Sequence, residues 1–165
     1  MAADEAGYRE YVIHRLDGFR RTAFLLCGDW HQADDLVSIA LVKLLRHWRR
    51  VSVMEQPDAY VRRILLRTWL DERRRPWRRE HPTEVVPDRP DPAHAERDVR
   101  IDVLAHLAEL PPRRRAVLVL RYFCDLSVEQ TAAALGCTEG TVKSQAARAL
   151  DTLRARLVDV PAMEE

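Results

Sequence analysis

Adjacent Asp34 and Asp35, six histidines and three cysteines are the side chains that could carry acid–base, metal or thiol chemistry. Their spacing argues against it. Neighbours on a helix point about 100 degrees apart, so the two carboxylates do not readily share one substrate atom. No HxxxH or carboxylate–histidine spacing completes a metal site, and Cys27, Cys124 and Cys137 lie in separate segments without a CxxC pattern. A phosphate-cradling glycine loop and a Gly-x-Ser-x-Gly elbow are both missing. The expectation is therefore no catalytic residue, no metal, no cofactor and no small-molecule substrate. The aspartate pair is expected to cap a helix, and the thiols to be buried apolar groups.

Recognition of a polyanion is the better-supported chemistry. Between Asp58 and Glu80, Arg62, Arg63, Arg67, Arg73, Arg74, Arg75, Arg78 and Arg79 interleave with Tyr60, Trp69 and Trp77. On a helical count, Val61, Ile64, Leu65, Thr68 and Trp69 face a core, and Arg63, Arg67 and Arg74 gather opposite. Clustered guanidinium groups track phosphates, and rings nearby stack on unpaired bases. Leu66 and Leu70 point away from that core and call for a further helix or a partner. The alternative is a solvated basic face: only Lys43 and Lys143 are lysine, a bias that GC-rich coding produces throughout a proteome.

A second polar face lies near the C-terminus. Ser127-Val128-Glu129-Gln130 has capping-box spacing, Gly136 permits a tight turn, and Thr138 suits the N-cap of a following helix, with Glu139 favourable to its dipole. Helix, glycine turn and capped helix make a helix-turn-helix. Val142, Ala146, Ala149, Leu150, Leu153 and Leu157 form the inward stripe of the last helix. Its polar side and flanks carry Thr141, Lys143, Ser144, Gln145 and Arg148, small and polar enough to enter a major groove. Arg148, Ser144 and Gln145 are placed to read base edges, and Lys143 and Thr141 to hold phosphates. An ordinary helical hairpin with a solvated face remains the alternative.

The elements that must position these groups are helical. Leu, Ala and Arg dominate, and no stretch sustains period-two alternation. The patterns predict helices over 8–27, 31–49, 57–79, 96–109, 112–123, 127–135 and 138–157. The fold class is all-α, with two small helical domains: residues 1–80, a proline-rich acidic linker over 81–98, a helix-turn-helix domain over 99–157, and an acidic tail over 158–165. Net charge alternates across these parts, −1 over 1–59, +5 over 60–80, −3 over 81–98, +3 over 99–157 and −3 at the end, within a chain of 165 residues and net charge +1. Pro82, Pro87, Pro90 and Pro92 discourage helix in the linker. On the helix over 31–49, Val37, Ala40, Leu41, Leu44 and Trp48 face inward. Asp35, Ile39, Val42 and Arg46 face outward, bordered by Ser38 and Arg49. Aliphatic groups among outward charges suggest a partner-binding surface; packing of Ile39 and Val42 on the preceding helix is the alternative. No run reaches the roughly 20 apolar residues of a membrane span, and the charged N-terminus is unlike a signal peptide, so a cytoplasmic location is expected.

Longer stretches carry a resemblance. Leu110-Pro111-Pro112-Arg113-Arg114-Arg115 through Tyr122, Leu126-Ser127, and Ala134 through Ser144 closely resemble the second DNA-binding domain of bacterial RNA polymerase sigma factors. The branch is the extracytoplasmic-function type of the sigma-70 family, in its actinobacterial sigma-E group. Phe19 to Asp29, Ala33 to Val37 and His47-Trp48 resemble the family's core-binding segments, and Tyr60 to Leu65 with Asp71 to Arg75 resemble the segment that opens the minus-ten element. The resemblance implies a non-enzymatic factor that binds polymerase core, directs it to promoter DNA and assists melting. Asp35, Ser38, Ile39, Val42 and Arg46 would dock on a coiled coil of the largest polymerase subunit. Arg63, Arg67 and Arg74 would hold minus-ten DNA, with a base-capturing loop over 51–57, while Thr141, Lys143, Ser144, Gln145 and Arg148 would meet the minus-thirty-five element. Gln145 stands where many relatives have Arg, Arg67 where some have Asn, and Ser38-Ile39 where Gln-Glu is common. The linker, with Glu84, Asp88 and Asp91, would occupy an RNA path. An anti-sigma protein is a further partner in many relatives, and nucleoid association would accompany the polymerase complex. A stand-alone helix-turn-helix regulator is the competing reading, and an adaptor without DNA binding a third.

Overall fold

The computed structural model describes the backbone of residues 2–74 and 97–158, with side chains over 4–74 and 103–157. All regular elements among the described residues are helical, which makes the protein all-α. The chain divides into two compact units, residues 1–85 and 86–165. Most of the expected linker, all but one residue of the expected acidic tail, and Arg75, Trp77, Arg78 and Arg79 lie outside the described residues.

Among the described residues three helices build the first unit: α1 (Ala2–Cys27), α2 (Trp30–Val51) and α3 (Pro57–Arg74). α1 starts earlier than the pattern predicts. Asp4 and Glu5 favour its first turn, Asp4 accepts from Arg49 at 2.8 Å, and Tyr8 donates to the Leu41 carbonyl at 3.0 Å with its ring edge-on to Trp48. These contacts, with Arg20–Asp34 at the other end, lay α1 antiparallel to α2. Gly28 takes a φ of 78° to end α1, a conformation costly to any other residue type. Asp29 then caps α2, its carboxylate accepting from the His31 amide at 2.8 Å.

Asp34 and Asp35 therefore do not cap the helix. Asp34 accepts from Arg20 Nε at 2.6 Å, which raises the pKa of the guanidinium. The same guanidinium lies 5.3 Å from the Trp30 ring, which stacks on Phe24 at 4.2 Å. Asp35 is exposed.

Packing on two neighbours widens each apolar face. α2 contacts both α1 and α3, so it buries Leu36 as well as Val37, Ala40, Leu44 and Trp48, and leaves Leu41 half-buried. α3 contacts α1 as well as α2. Leu66 is consequently fully buried beside Val61, Leu65 and Trp69, and Leu70 is half-buried. The further helix that Leu66 and Leu70 call for on the pattern is α1.

In the second unit α4 (Arg97–Glu109) precedes α5 (Pro112–Leu118), a π-helical turn (Val119–Phe123), α6 (Val128–Leu135) and α7 (Glu139–Val158). Pro112 starts α5, where its missing amide hydrogen costs nothing. The helix predicted over 112–123 is thus two segments. Its end widens: the Cys124 amide reaches the Val119 carbonyl at 3.0 Å and the Leu126 amide reaches Leu120 at 3.0 Å. Arg121 donates to the Leu126 carbonyl, and Asp125 takes a φ of 53°. This turn buries Val119 and Leu120 and leaves Tyr122 and Phe123 exposed.

The core of this unit gathers Leu107, Leu110, Ala116 to Leu120, Leu126, Leu135, Val142 and Ala149. Leu157, placed on the inward stripe by the pattern, is exposed. There α7 is held to α4 through an Arg156–Glu109 ion pair, and Leu157 falls on the open side. The three cysteines form no disulfide and are half-buried, not the buried apolar groups expected, because each follows or ends a helix at the margin of a core.

Candidate nucleic-acid and partner-binding surfaces

The helix-turn-helix is assembled by local hydrogen bonds that its sequence specifies. Ser127 Oγ accepts from the Gln130 amide at 3.0 Å while Gln130 Oε1 accepts from the Ser127 amide at 2.9 Å, a closed capping box. Gly136, at φ 64° and ψ 40°, ends α6, and the Cys137 amide returns to the Ala132 carbonyl at 3.1 Å. Thr138 Oγ1 accepts from the Thr141 amide at 3.2 Å and starts α7.

The outward side of α7 carries both cations and hydroxyl groups. Lys143 and Arg148 are exposed. The Thr141 hydroxyl pairs with that of Thr138 at 2.9 Å, and the Ser144 hydroxyl donates to the Thr141 carbonyl at 3.1 Å. Gln145 is half-buried, and its Oε1 accepts from Arg114 Nε at 3.1 Å. Arg114 was missed in reading the sequence; its place directly before the buried run from Arg115 puts it beside α7, yet nothing in its spacing names Gln145 as its partner.

On α3, Arg63, Arg67 and Arg74 are exposed, and among the described residues no ion pair engages them. They are turned away from the buried Leu65 and Trp69. Arg73 sits apart from them, its guanidinium 5.4 Å from the Trp69 ring. The loop before α3 presents Val53, 82% exposed, with Met54 beside it. The start of α3 is fastened by Asp58, which accepts from Tyr11 at 2.7 Å and pairs with Arg15 at 3.4 Å. Neither partner was singled out from the sequence.

On α2, Ser38, Ile39, Val42 and Arg46 line one shallow depression together with Lys43. Asp35 is exposed a turn away. Val42 is 53% exposed, so it is not packed on α1; Ile39 is half-covered. Leu45, also exposed, adds an aliphatic group the pattern had not placed outward. Among the described residues no group of histidines, cysteines and carboxylates could hold a metal ion, and no helix is long and apolar enough to cross a membrane.

Two helical units, the second a capped helix-turn-helix with a polar outward face, belong to the architecture of DNA-reading transcription proteins. Comparison with known families narrows the class. Sigma-70 region 2 matches residues 12–79 and Sigma-70 region 4 matches residues 100–153. An RNA polymerase sigma-E factor of Streptomyces coelicolor is 41% identical over 155 residues, covering 92% of this chain and 86% of that protein. A sigma-E factor of Streptomyces avermitilis is 40% identical, covering 91% and 84%. Among solved structures, the sigma factor RpoE in complex with the anti-sigma factor NepR from Bartonella quintana superposes with a TM-score of 0.78 at 24% identity, covering 94% of this chain and 98% of that one. CnrH in complex with the cytosolic domain of CnrY gives 0.64 at 22%, covering 94% and 89%. The chain belongs to the sigma-70 family of RNA polymerase sigma factors, in its extracytoplasmic-function branch.

Proposed function

We propose that this sigma factor divides its work between its two units. The outward side of α2, with Asp35, Ser38, Ile39, Val42 and Arg46, binds polymerase core at a coiled coil of the largest subunit. Arg63, Arg67 and Arg74 on α3 hold the melted minus-ten strand, with the loop over 51–57 taking an unstacked base. Thr141, Lys143, Ser144, Gln145 and Arg148 on α7 meet the minus-thirty-five duplex. Residues 1–80 and 99–157 act as the two working domains, 81–98 as the linker that occupies an RNA path, and 158–165 as an acidic tail.

The reading rests on one observation above the others: both sigma regions match in order along one chain. The exposed aliphatic depression on α2 and the exposed arginines on α3, which no ion pair engages among the described residues, support it physically. The protein contributes no catalytic group; it supplies specificity and strand opening to polymerase. It works in the cytoplasm, on the nucleoid when joined to polymerase. An anti-sigma protein is a further expected partner, as in the two solved complexes.

Reconstitution with core polymerase, followed by mapping of transcript starts, tests this reading. Promoter-specific initiation that needs both components is the expected result. Protection of paired half-sites on duplex DNA without polymerase would instead establish the stand-alone regulator.

A further inference from the structure

Every residue of the loop over 52–56 is exposed. Side chains in water do not hold a backbone in one place, so the position of such a loop depends on how its ends are anchored. At the front, the Ser52 amide donates to the Trp48 carbonyl at 2.7 Å and the Met54 amide to the Val51 carbonyl at 3.0 Å. At the back, Asp58 stands in the first turn of α3, accepts from Tyr11 Oη at 2.7 Å and pairs with Arg15 at 3.4 Å. The Arg15 guanidinium is exposed, and water screens such a pair. The short bond from the Tyr11 hydroxyl to the carboxylate is the firmer of the two.

Tyr11 reaches both ends of the loop. Its hydroxyl holds Asp58, and its ring lies against the buried Trp48, with centroids 5.1 Å apart. Trp48 is the residue whose carbonyl receives the Ser52 amide. A single side chain of α1 therefore joins the exit of α2 to the entry of α3 across the foot of the loop. Taking a base out of the stack costs free energy that stacking and hydrogen bonds in the receiving site must offset. A loop that has to be ordered at that moment offsets less of it, because the ordering entropy is subtracted from its contacts. Anchoring both ends beforehand removes that loss.

We propose that Tyr11 is a positioning residue for the minus-ten element: by joining Asp58 to Trp48 it holds the loop over 51–57 in the place where it takes an unstacked base. This rests on the reading that the loop captures a base. Tyr11 acts through the loop and not on the DNA.

The test is selection from a promoter library randomised across the minus-ten element, using the full chain with core polymerase. The readout is the ratio of bases recovered at each position, an internal ratio that loss of folded protein does not change. V53G/M54S/E55G, which strips the loop of three side chains, identifies the captured position as the one whose preference it abolishes. Y11F should weaken the preference at that same position by about fivefold, the lower end of the cost of one mismatched base pair, and leave the other positions unchanged. D58A should weaken it at least as much. D58N, whose side-chain oxygen still accepts from Tyr11, should keep most of the native preference, and R15A all of it. If Y11F and D58A leave the captured position unchanged, or lower transcription from all promoters uniformly as a purely structural residue would, the proposal is overturned. Equal loss in D58N and D58A also overturns it, since the charge and not the bond to Tyr11 would then matter. Failure of the underlying reading is separate: V53G/M54S/E55G would then leave selection at every minus-ten position untouched, and the proposal would fall with it.

Discussion

Tyr11 Oη donates to Asp58 Oδ1 at 2.7 Å, joining the middle of α1 to the first turn of α3. The Tyr11 ring also lies against Trp48 and Phe19, with centroids at 5.1 and 6.2 Å. The residue therefore binds three parts of the first unit at once and fixes where the loop over 52–56 ends.

Tyr11→Phe removes the bond and keeps the ring, and should cost about 1.5–3 kcal/mol of unfolding free energy, as for a hydrogen bond to a charged acceptor. Burial, reinforced by the bond to Asp58, raises the Tyr11 pKa well above its ordinary 10.0. A folded-state pKa raised above the unfolded one gives stability that is fully present below about pH 10 and declines as pH rises beyond it. Urea unfolding of both proteins should show a large difference at about pH 8 and a smaller one at about pH 11; a difference that does not change with pH would refute the assignment.

Val42→Glu and Asp35→Arg should weaken co-purification with core polymerase while leaving the thermal midpoint within about 2 °C, since both positions are exposed. Ile39→Glu should weaken binding too, with a larger stability cost because that side chain is half-covered. Unchanged binding for all three would remove α2 from the interface.

Gly136→Ala meets no steric neighbour, yet it must hold φ 64°. Its expected cost is about 1–2 kcal/mol from backbone strain alone. Ser127→Ala opens the capping box and should cost about 1 kcal/mol. Both are read from calorimetry of the full chain; a neutral Gly136→Ala would mean that the turn readily adopts another geometry.

Replacing Arg63, Arg67 and Arg74 one at a time by Ala should reduce the salt dependence of holoenzyme binding to single-stranded minus-ten DNA. Each arginine that neutralises a phosphate adds about 0.7 to the slope of log K against log salt, and its removal should lower the slope by that amount. A replacement that leaves the slope unchanged excludes that arginine from the strand-binding surface.

The local grammar was legible in the sequence wherever a side chain acts on its own backbone. Ser127, Gly136 and Thr138 do what their spacing implies, and Arg63, Arg67 and Arg74 share an exposed face as the helical count places them. What was not legible depends on packing between helices distant in sequence. Periodicity measured on α3 alone shows that Leu66 and Leu70 need a second covering element, but a one-dimensional count cannot say that it is α1 and not a partner. The Arg20–Asp34 and Arg114–Gln145 pairs escaped for the same reason. The wide turn at Val119–Phe123 escaped for another: its residues fit an ordinary helix, and only the bonding of Cys124 and Leu126 departs from one.

That turn determines how the second unit responds to changes in chain length. A π-helical turn holds one residue more than the regular winding around it, so deleting a single exposed residue, such as Tyr122, lets the backbone return to α-helical pairing with the buried side chains of α5 still in register. Deleting a residue between Arg115 and Leu118 has no such slack to draw on: every later side chain of α5 rotates by about 100 degrees, and the hydrophobic seam against α7 is carried out into water.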